Sequence, residues 1–416
     1  MKLLWLCNIV PAAVQEKIDG TAGNGLWLDH VFQDLRQQDF TIRILARGTL
    51  AEGQLDDKCS FATFAQPVPY EYLPELENFF CAELEGFQPD VIHIWGTEYA
   101  HSLAMVNAAE RMGLLSRVVV NIQGLCSVIA GHYNDGVPTF VRSCGSFRDM
   151  IRKDNLEQQR EKFELRGKLE IQALQKVPHV IGRTHWDKHW TREIHPGRIY
   201  HHCDETLRQD FYGEQWQYDK CVKYRIFAAG CSYPVKGFHY MLKAFARILK
   251  AYPQATLAVP GTALPEISDW KGRLRSTGYQ YYLAFLERFL GLKGKVHYLG
   301  SMDACQMKQA YLDANVFVLS STIENSPNTL GEAMLLGVPC VASDVGGVTT
   351  LLKDGQEGLI CPSGNVDAMA ANIRKIFDME EKARELGIAA REHARYTHDP
   401  DKNCRSLLEI YRAIAQ

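Results

Sequence analysis

A chain of 416 residues is long enough for two domains, each with its own core. Apolar and charged fractions of 46% and 23% are ordinary for a globular protein, and a net charge of -3 gives no reason to expect a nucleic-acid partner. Twelve cysteines without a C-x-x-C pair read as reduced, buried residues of a cytoplasmic protein rather than a disulfide framework or a zinc ribbon.

The opening MKLLWLCNIV resembles the start of a signal peptide, but its apolar core is short and no small-residue cleavage site follows, so a buried first strand is expected. No apolar run reaches the ~18 residues a membrane-spanning helix needs. Glycines 20, 23 and 25 stand well after this strand, where a dinucleotide fingerprint would place them at once, and no Gly-Lys-Ser/Thr follows. This argues against a dehydrogenase and against a nucleoside-triphosphate loop. TIRILARG reads as the next strand and PELENFFCAELEGF as a helix. DVIHIWG is again a strand, with His93 inside it as a core residue and Thr97, Glu98 and His101 at its end. RVVVNIQG follows, then HYNDGVPTFV and a helix of balanced charge that suits a solvated face better than a membrane anchor, then HVIGRT. HWDKH and HHCDE offer histidines and acids, yet neither has the three or four ligands of a zinc site.

DETLRQDFYGEQWQYDKCVK is polar and aperiodic, which makes it the linker, with the boundary between Tyr212 and Lys223. Beyond it the alternation resumes with YRIFAAG, ATLAVPG, KVHYLG, NVFVLSS and PCVAS. Continuous apolar strands alternating with helices predict an α/β protein of two Rossmann-like, doubly wound domains. These are 1–215 and 216–396, with a C-terminal helix, 397–416, free to pack on either half or return to the first. Ligands of such sheets sit at the carboxyl ends of the strands. Two domains face to face would line a cleft with the loops after IVP, HIWG, NIQG, AAG and LSS.

Within that frame, STIENSPNTLGEA brackets a Ser-Pro-Asn turn with Glu324 and Glu332. Spacing alone proves little, because Glu75 and Glu83, and Glu77 and Glu85, repeat it on a helix. The context differs: a strand-end loop runs into a helix with Asn328 as its expected N-cap. The first turn would offer amides of Thr329 and Leu330 to an anion. Side chains of a helix lean towards its start, so the Glu332 carboxylate would reach back beside that anion. Bare phosphate would repel it, whereas ribose hydroxyls would bond to it, which suggests a nucleoside diphosphate with a further group near Glu324. The alternative is that Glu332 only complements the helix dipole.

The segment ENSPNTLGEAMLLGVPCVASDVGGVTTLLKDGQEGLICP resembles the retaining glycosyltransferases of family four, which have the glycosyltransferase-B fold. The paired glutamates, Glu332-Ala333, Gly337-Val338-Pro339, Gly346-Gly347 and Gln356-Glu357-Gly358 all have counterparts there. FAAGCSYPVKGFHYMLKAF carries a second signature of that family, a glycine after a strand and a Lys-Gly before a helix. The resemblance implies that Glu332 holds the donor ribose, that Glu324 holds the donor-sugar hydroxyls, and that Asn328, Thr329 and Leu330 line the diphosphate. It gives Lys236 the task of neutralising the leaving diphosphate, and it sets a mobile glycine loop, here Gly23 and Asn24, near the donor phosphates. Where the family usually has arginine this chain has Cys231, so Ser232 with backbone donors, or Arg183, would have to compensate. Gln123 stands where many relatives have histidine near the reacting carbon; its amide can bond hydroxyls but cannot carry a proton. Glu98 and His101 would face the acceptor.

The implied activity is transfer of a sugar, with retention, from a nucleotide diphosphate sugar to a glycan or lipid-linked acceptor in surface polysaccharide or glycoconjugate synthesis. No cofactor and no metal are expected, nor a nucleic acid partner. The expected location is the cytoplasm, the inner face of the membrane included, with peripheral contact but no transmembrane segment. A nucleotide-sugar epimerase of the same fold and a non-catalytic sugar-nucleotide-binding subunit are the competing readings.

Overall fold

The first strand shows why the N-terminal sheet is buried on both faces. In β1 (Lys2–Cys7), Leu4 and Leu6 enter one apolar cluster with Ile92, Ile94 and Val120, while Leu3, Trp5 and Cys7 enter another with Phe32 and Ile44. Successive strand residues alternate faces, so a run without polar interruptions needs cover on both. The computed structural model describes residues 1–21, 27–265 and 275–416. The chain divides into two compact units: 1–130 with 162–208 and 398–416, and 131–161 with 209–397.

In the first unit the described residues form an eight-stranded sheet. After β1 come β2 (Thr41–Arg47), β3 (Glu52–Asp56), β4 (Cys59–Phe64), β5 (Val91–Trp95), β6 (Val118–Asn121), β7 (His179–Gly182) and β8 (Ile199–His202), in the order β3-β4-β2-β1-β5-β6-β7-β8. All pairs are parallel except β3 with β4. The sequence reading did not resolve the β3–β4 hairpin or β8, because β3 is short, polar and lies at the sheet edge. The helix Pro400–Ile414 lies in this unit: Tyr411 accepts from Trp5 Nε1 at 3.2 Å, and its Oη lies 2.6 Å from His93 Nδ1. His93 also stacks on Trp95 at 3.8 Å, and burial pushes its pKa down to about 3, so it is a neutral core residue.

In the second unit the described residues form a six-stranded, wholly parallel sheet. Its strands are β9 (Arg225–Ala228), β10 (Thr256–Val259), β11 (Val296–Tyr298), β12 (Val316–Leu319), β13 (Cys340–Asp344) and β14 (Leu359–Pro362), ordered β11-β10-β9-β12-β13-β14. Division at residue 215 leaves 131–161 in the first half, whereas in the structure these residues pack with the second unit. His239 Nε2 meets the Asp135 carbonyl at 3.1 Å, Thr322 Oγ1 donates to the His132 carbonyl at 3.1 Å, and the Gly278 amide donates to Asp149 at 2.6 Å. An excursion of this kind leaves no mark on strand and helix periodicity.

Strand order reverses between β1 and β5 in one unit and between β9 and β12 in the other. Loops diverge at such points and leave a crevice at the carboxyl ends of the strands. Lys236, Glu324 and Glu98 lie on loops that leave these points.

Candidate active site

In the second unit the switch point joins the loop after β9 to the loop after β12. Lys236 ends a short 3-10 turn, and its Nζ lies 2.7 Å from Oε1 of Glu324; Ser321 Oγ donates to the same oxygen at 2.7 Å. Two hydrogen bonds to backbone carbonyls keep these loops together. The Thr322 amide donates to the Val235 carbonyl at 2.8 Å, and Ser320 Oγ donates to the Lys236 carbonyl at 2.9 Å.

Two glycines permit this closeness. Gly237 has φ 61°, and a Cβ there would stand 1.8 Å from the Ser320 carbonyl oxygen. Gly346 has φ 53°, and a Cβ there would stand 1.8 Å from the Glu324 carbonyl oxygen, which also accepts from the Gly347 amide at 3.0 Å. Both combine a left-handed backbone with a contact that excludes any side chain. Gly346-Gly347 thus fixes the backbone of Glu324 from the far side.

The helix Asn328–Leu336 follows. Its N-cap is Pro327, with φ -70°, and no side chain caps it, so Asn328 is the first helical residue and not the cap expected from sequence. Proline favours this junction because its φ is already set and its missing N–H costs no bond. The Leu330 amide donates to the Pro327 carbonyl at 2.9 Å, so it is not one of the open donors. Among the described residues, the amides of Asn328 and Thr329 are the first-turn donors without a partner within the chain. Glu332 sits one turn further on, 3% exposed, with Tyr311 Oη donating to it at 3.3 Å and to the Thr329 carbonyl at 3.0 Å.

A pocket of about 410 Å³ opens beside Lys236, lined by Gly230, Ser232, Tyr233, Gly261, Thr262 and Gly300 among others. Ser232 is exposed in it. Cys231 is not among its lining residues: it is buried, its Sγ donates to the Pro260 carbonyl at 3.5 Å, and burial pushes the thiol up to about 11. Arg183 is 4% exposed in the first unit, ion-paired with Glu205, and donates to the Ile122 carbonyl at 3.3 Å.

In the first unit a pocket of about 390 Å³ occupies the β1/β5 switch point, lined by Asn8, Glu98, Tyr99, Gln123, Phe163 and Arg166 among others. Asn8 Nδ2 donates to Glu98 at 2.7 Å, and burial raises the Glu98 carboxyl above its ordinary range. Gln123 Nε2 donates to Asn121 at 2.7 Å. The Arg166 guanidinium lies 3.9 Å from the Phe163 ring centre. His101, expected beside Glu98, is fully buried: Nδ1 lies 2.5 Å from Gln66 Oε1 and Nε2 lies 2.8 Å from Asn8 Oδ1. It holds Asn8, which holds Glu98, and does not itself reach the pocket. Gly23 and Asn24 lie outside the described residues.

Sequence reasoning missed Glu170. It lies in the helix Leu156–Lys176, whose charge pattern reads as a solvated face, yet it is 1% exposed. Its carboxylate accepts from the Cys126 and Ser127 amides, each at 3.0 Å, from Ser127 Oγ at 2.7 Å and from Thr97 Oγ1 at 3.0 Å. One buried acid therefore ties the loop after β5 to the segment after β6, the two walls that carry Glu98 and Gln123. A polar loop adjoining a glutamate-rich helix was the only sequence signal. In HWDKH, Thr184 and Asp187 form a capping box around His185 and Trp186. Among the described residues no group of three or more His, Cys, Asp and Glu could hold a metal.

Two α/β units with parallel sheets, each with its polar residues at a strand-order switch, define the glycosyltransferase-B class of fold. The whole chain superposes on sucrose-phosphate synthase from Thermosynechococcus elongatus with TM-score 0.72 and 17% identity, covering 100% of this chain and 99% of that one. It superposes on HepE from Anabaena, solved with UDP and glucose, with TM-score 0.67 and 16% identity over 99% of each chain. Residues 221–393 match the family described as glycosyl transferases group 1. Curated relatives align over shorter stretches. N-acetyl-alpha-D-glucosaminyl L-malate synthase of Bacillus anthracis is 30% identical over 107 residues, 26% of this chain and 28% of that protein. D-inositol 3-phosphate glycosyltransferase of Nocardiopsis dassonvillei is 30% identical over 142 residues, 34% of this chain and 32% of that protein. The alignments thus span about a third or less of these relatives' lengths.

Proposed function

We propose that this protein is a retaining glycosyltransferase that moves a sugar from a nucleoside diphosphate sugar to a hydroxyl of a glycan or lipid-linked acceptor. The observation that carries the reading is the Lys236–Glu324 pair at the β9/β12 switch point, directly before a helix whose Asn328 and Thr329 amides have no partner among the described residues and whose buried Glu332 stands one turn inside. A diphosphate at the Asn328 and Thr329 amides would meet a helix dipole and the Lys236 ammonium, both matched to its charge. Glu332 would accept the ribose hydroxyls and Glu324 the hydroxyls of the sugar, while Ser232 would bond a phosphate oxygen. As the glycosidic bond breaks, charge gathers on the departing diphosphate, and a fixed cation there stabilises the transition state. The HepE structure with UDP-glucose supports a nucleotide sugar as the donor class. Glu98, at the other switch point, would bond the acceptor, and the Gln123 amide would bond a sugar hydroxyl near the reacting carbon. The family's same-face mechanism lets the leaving phosphate take the acceptor proton.

Thermal stabilisation by a panel of uridine, guanosine and adenosine diphosphate sugars tests the donor class; one base should shift the midpoint well beyond the others. No shift with any of them overturns the reading. Release of a changed nucleotide sugar without acceptor would favour the epimerase.

Two further results are expected. Glu332→Gln weakens binding of the free nucleoside diphosphate by ~1.5–3 kcal/mol, because a charged acceptor for hydroxyls is lost. Equal affinities by calorimetry would remove the ribose role. Transfer in excess chelator equals transfer in magnesium, since Lys236 and the helix start supply the positive charge. A required metal would contribute several kcal/mol, so a loss beyond roughly tenfold would contradict this.

A further inference from the structure

The pocket of the first unit holds a cation with which no described residue forms an ion pair. The helix Leu156–Lys176 turns Phe163, Arg166, Gly167 and Glu170 to one side, at i, i+3, i+4 and i+7. That side is pressed onto the segment after β6. A Cβ at Gly167 would stand 2.6 Å from Ser127 Cα, and Glu170 accepts from the Ser127 amide at 3.0 Å. Arg166 is thereby carried to the pocket wall, which it shares with Phe163, Glu98 and Gln123.

The guanidinium is held in place by rings. It lies 3.9 Å from the ring centre of Phe163 and 5.8 Å from that of Tyr99, whose ring stacks on His101 at 5.6 Å, 7° from parallel. Among the described residues it makes no hydrogen bond, and its Nε is buried without a partner. Two acids stand near it, and both are engaged by other groups. Glu170 accepts from four donors, and Glu98 accepts from Asn8 Nδ2. By contrast, Arg43 and Arg183 of the same unit are ion-paired, with Glu83 and Glu205. A half-buried guanidinium with unbonded donors carries a desolvation cost that an incoming anion offsets.

We propose that this pocket takes an acceptor bearing a carboxylate or phosphate group, which Arg166 binds beside the hydroxyl bonded by Glu98. This rests on the reading of the pocket as the acceptor side, and it names the acceptor as charged. Arginine suits the task, because its planar fork matches two oxygens of either anion and its faces stack on aromatic rings. Ile9, Leu28 and Trp95 line the same pocket, and an apolar wall strengthens the pairing by excluding water.

NMR titrations of the full chain with glycerol 3-phosphate, glycerate and glycerol test this, the first two separating phosphate from carboxylate. At least one of the two anions should bind about tenfold or more tightly than glycerol, and high salt should weaken it. Arg166→Gln should remove that preference while keeping the wild-type circular dichroism and thermal midpoint. Arg166→Lys, which keeps the charge without the fork, should restore part of it. Lys236→Ala should leave the preference in place, which sets this site apart from the diphosphate site. The proposal is overturned if glycerol binds as well as both anions, if folded Arg166→Gln retains the preference, or if Lys236→Ala abolishes it. Stabilisation by nucleotide sugars is read separately. Its absence would strike the transferase reading, whereas a stabilised protein without the anion preference would strike the charged acceptor alone.

Discussion

Replacing Lys236 with alanine is expected to lower turnover on the order of a hundredfold or more while weakening donor binding far less, by analogy with loss of one oxyanion donor. The reason is differential. In the ground state the ammonium is paired with Glu324, 2.7 Å away, and would share its charge with the proposed diphosphate. In the transition state the diphosphate carries more charge, so the attraction grows along the reaction. Single-turnover rates and donor titrations, measured separately, check the split. An enzyme that keeps its turnover without Lys236 would remove the phosphate assignment. Arginine introduced at position 231 is not expected to rescue it, because Cys231 is packed against Pro260 and lies outside the pocket lining. A guanidinium there would meet packed backbone.

The second large effect is on stability. Glu170→Ala removes the shared acceptor of four donors in a buried place. The cost should be about 3–5 kcal/mol, with the first unit affected most. Chemical denaturation of wild type and variant measures it, and a change under about 1 kcal/mol would show that the loops are held by other means. Burial pushes the Glu170 carboxyl up to about 7 from an ordinary 4.5, against the hydrogen bonds that favour its charged form. A folded-state value above the unfolded one gives stability that is full below pH ~4.5 and declines as pH rises through ~7. The advantage of the wild type over Glu170→Gln should therefore be largest near pH 5 and smallest near pH 8. The opposite trend in thermal midpoints would contradict the burial of this acid.

The sequence by itself determined the class of fold and pointed to strand-end loops as the place of its polar residues. Continuous apolar strands such as LLWLC and NVFVLSS can be satisfied only by sheets covered on both faces, and strand-end loops carry the polar residues of such sheets. Lys236 and the Glu324/Glu332 pair each stand in a local strand–turn–helix pattern that singles them out, whereas the contact of Lys236 with Glu324, 88 residues away, is tertiary. Tertiary structure alone decided what depends on distant partners. It packed 131–161 with the second unit, buried His101 behind Asn8, spent Arg183 on Glu205, and turned Glu170 from a surface charge into the tie between two loops. It also showed that Gly237 and Gly346 are required by carbonyl oxygens at positions 320 and 324, remote in sequence. Local periodicity reports which face of an element is buried, but not which loop from elsewhere in the chain will come to lie on it.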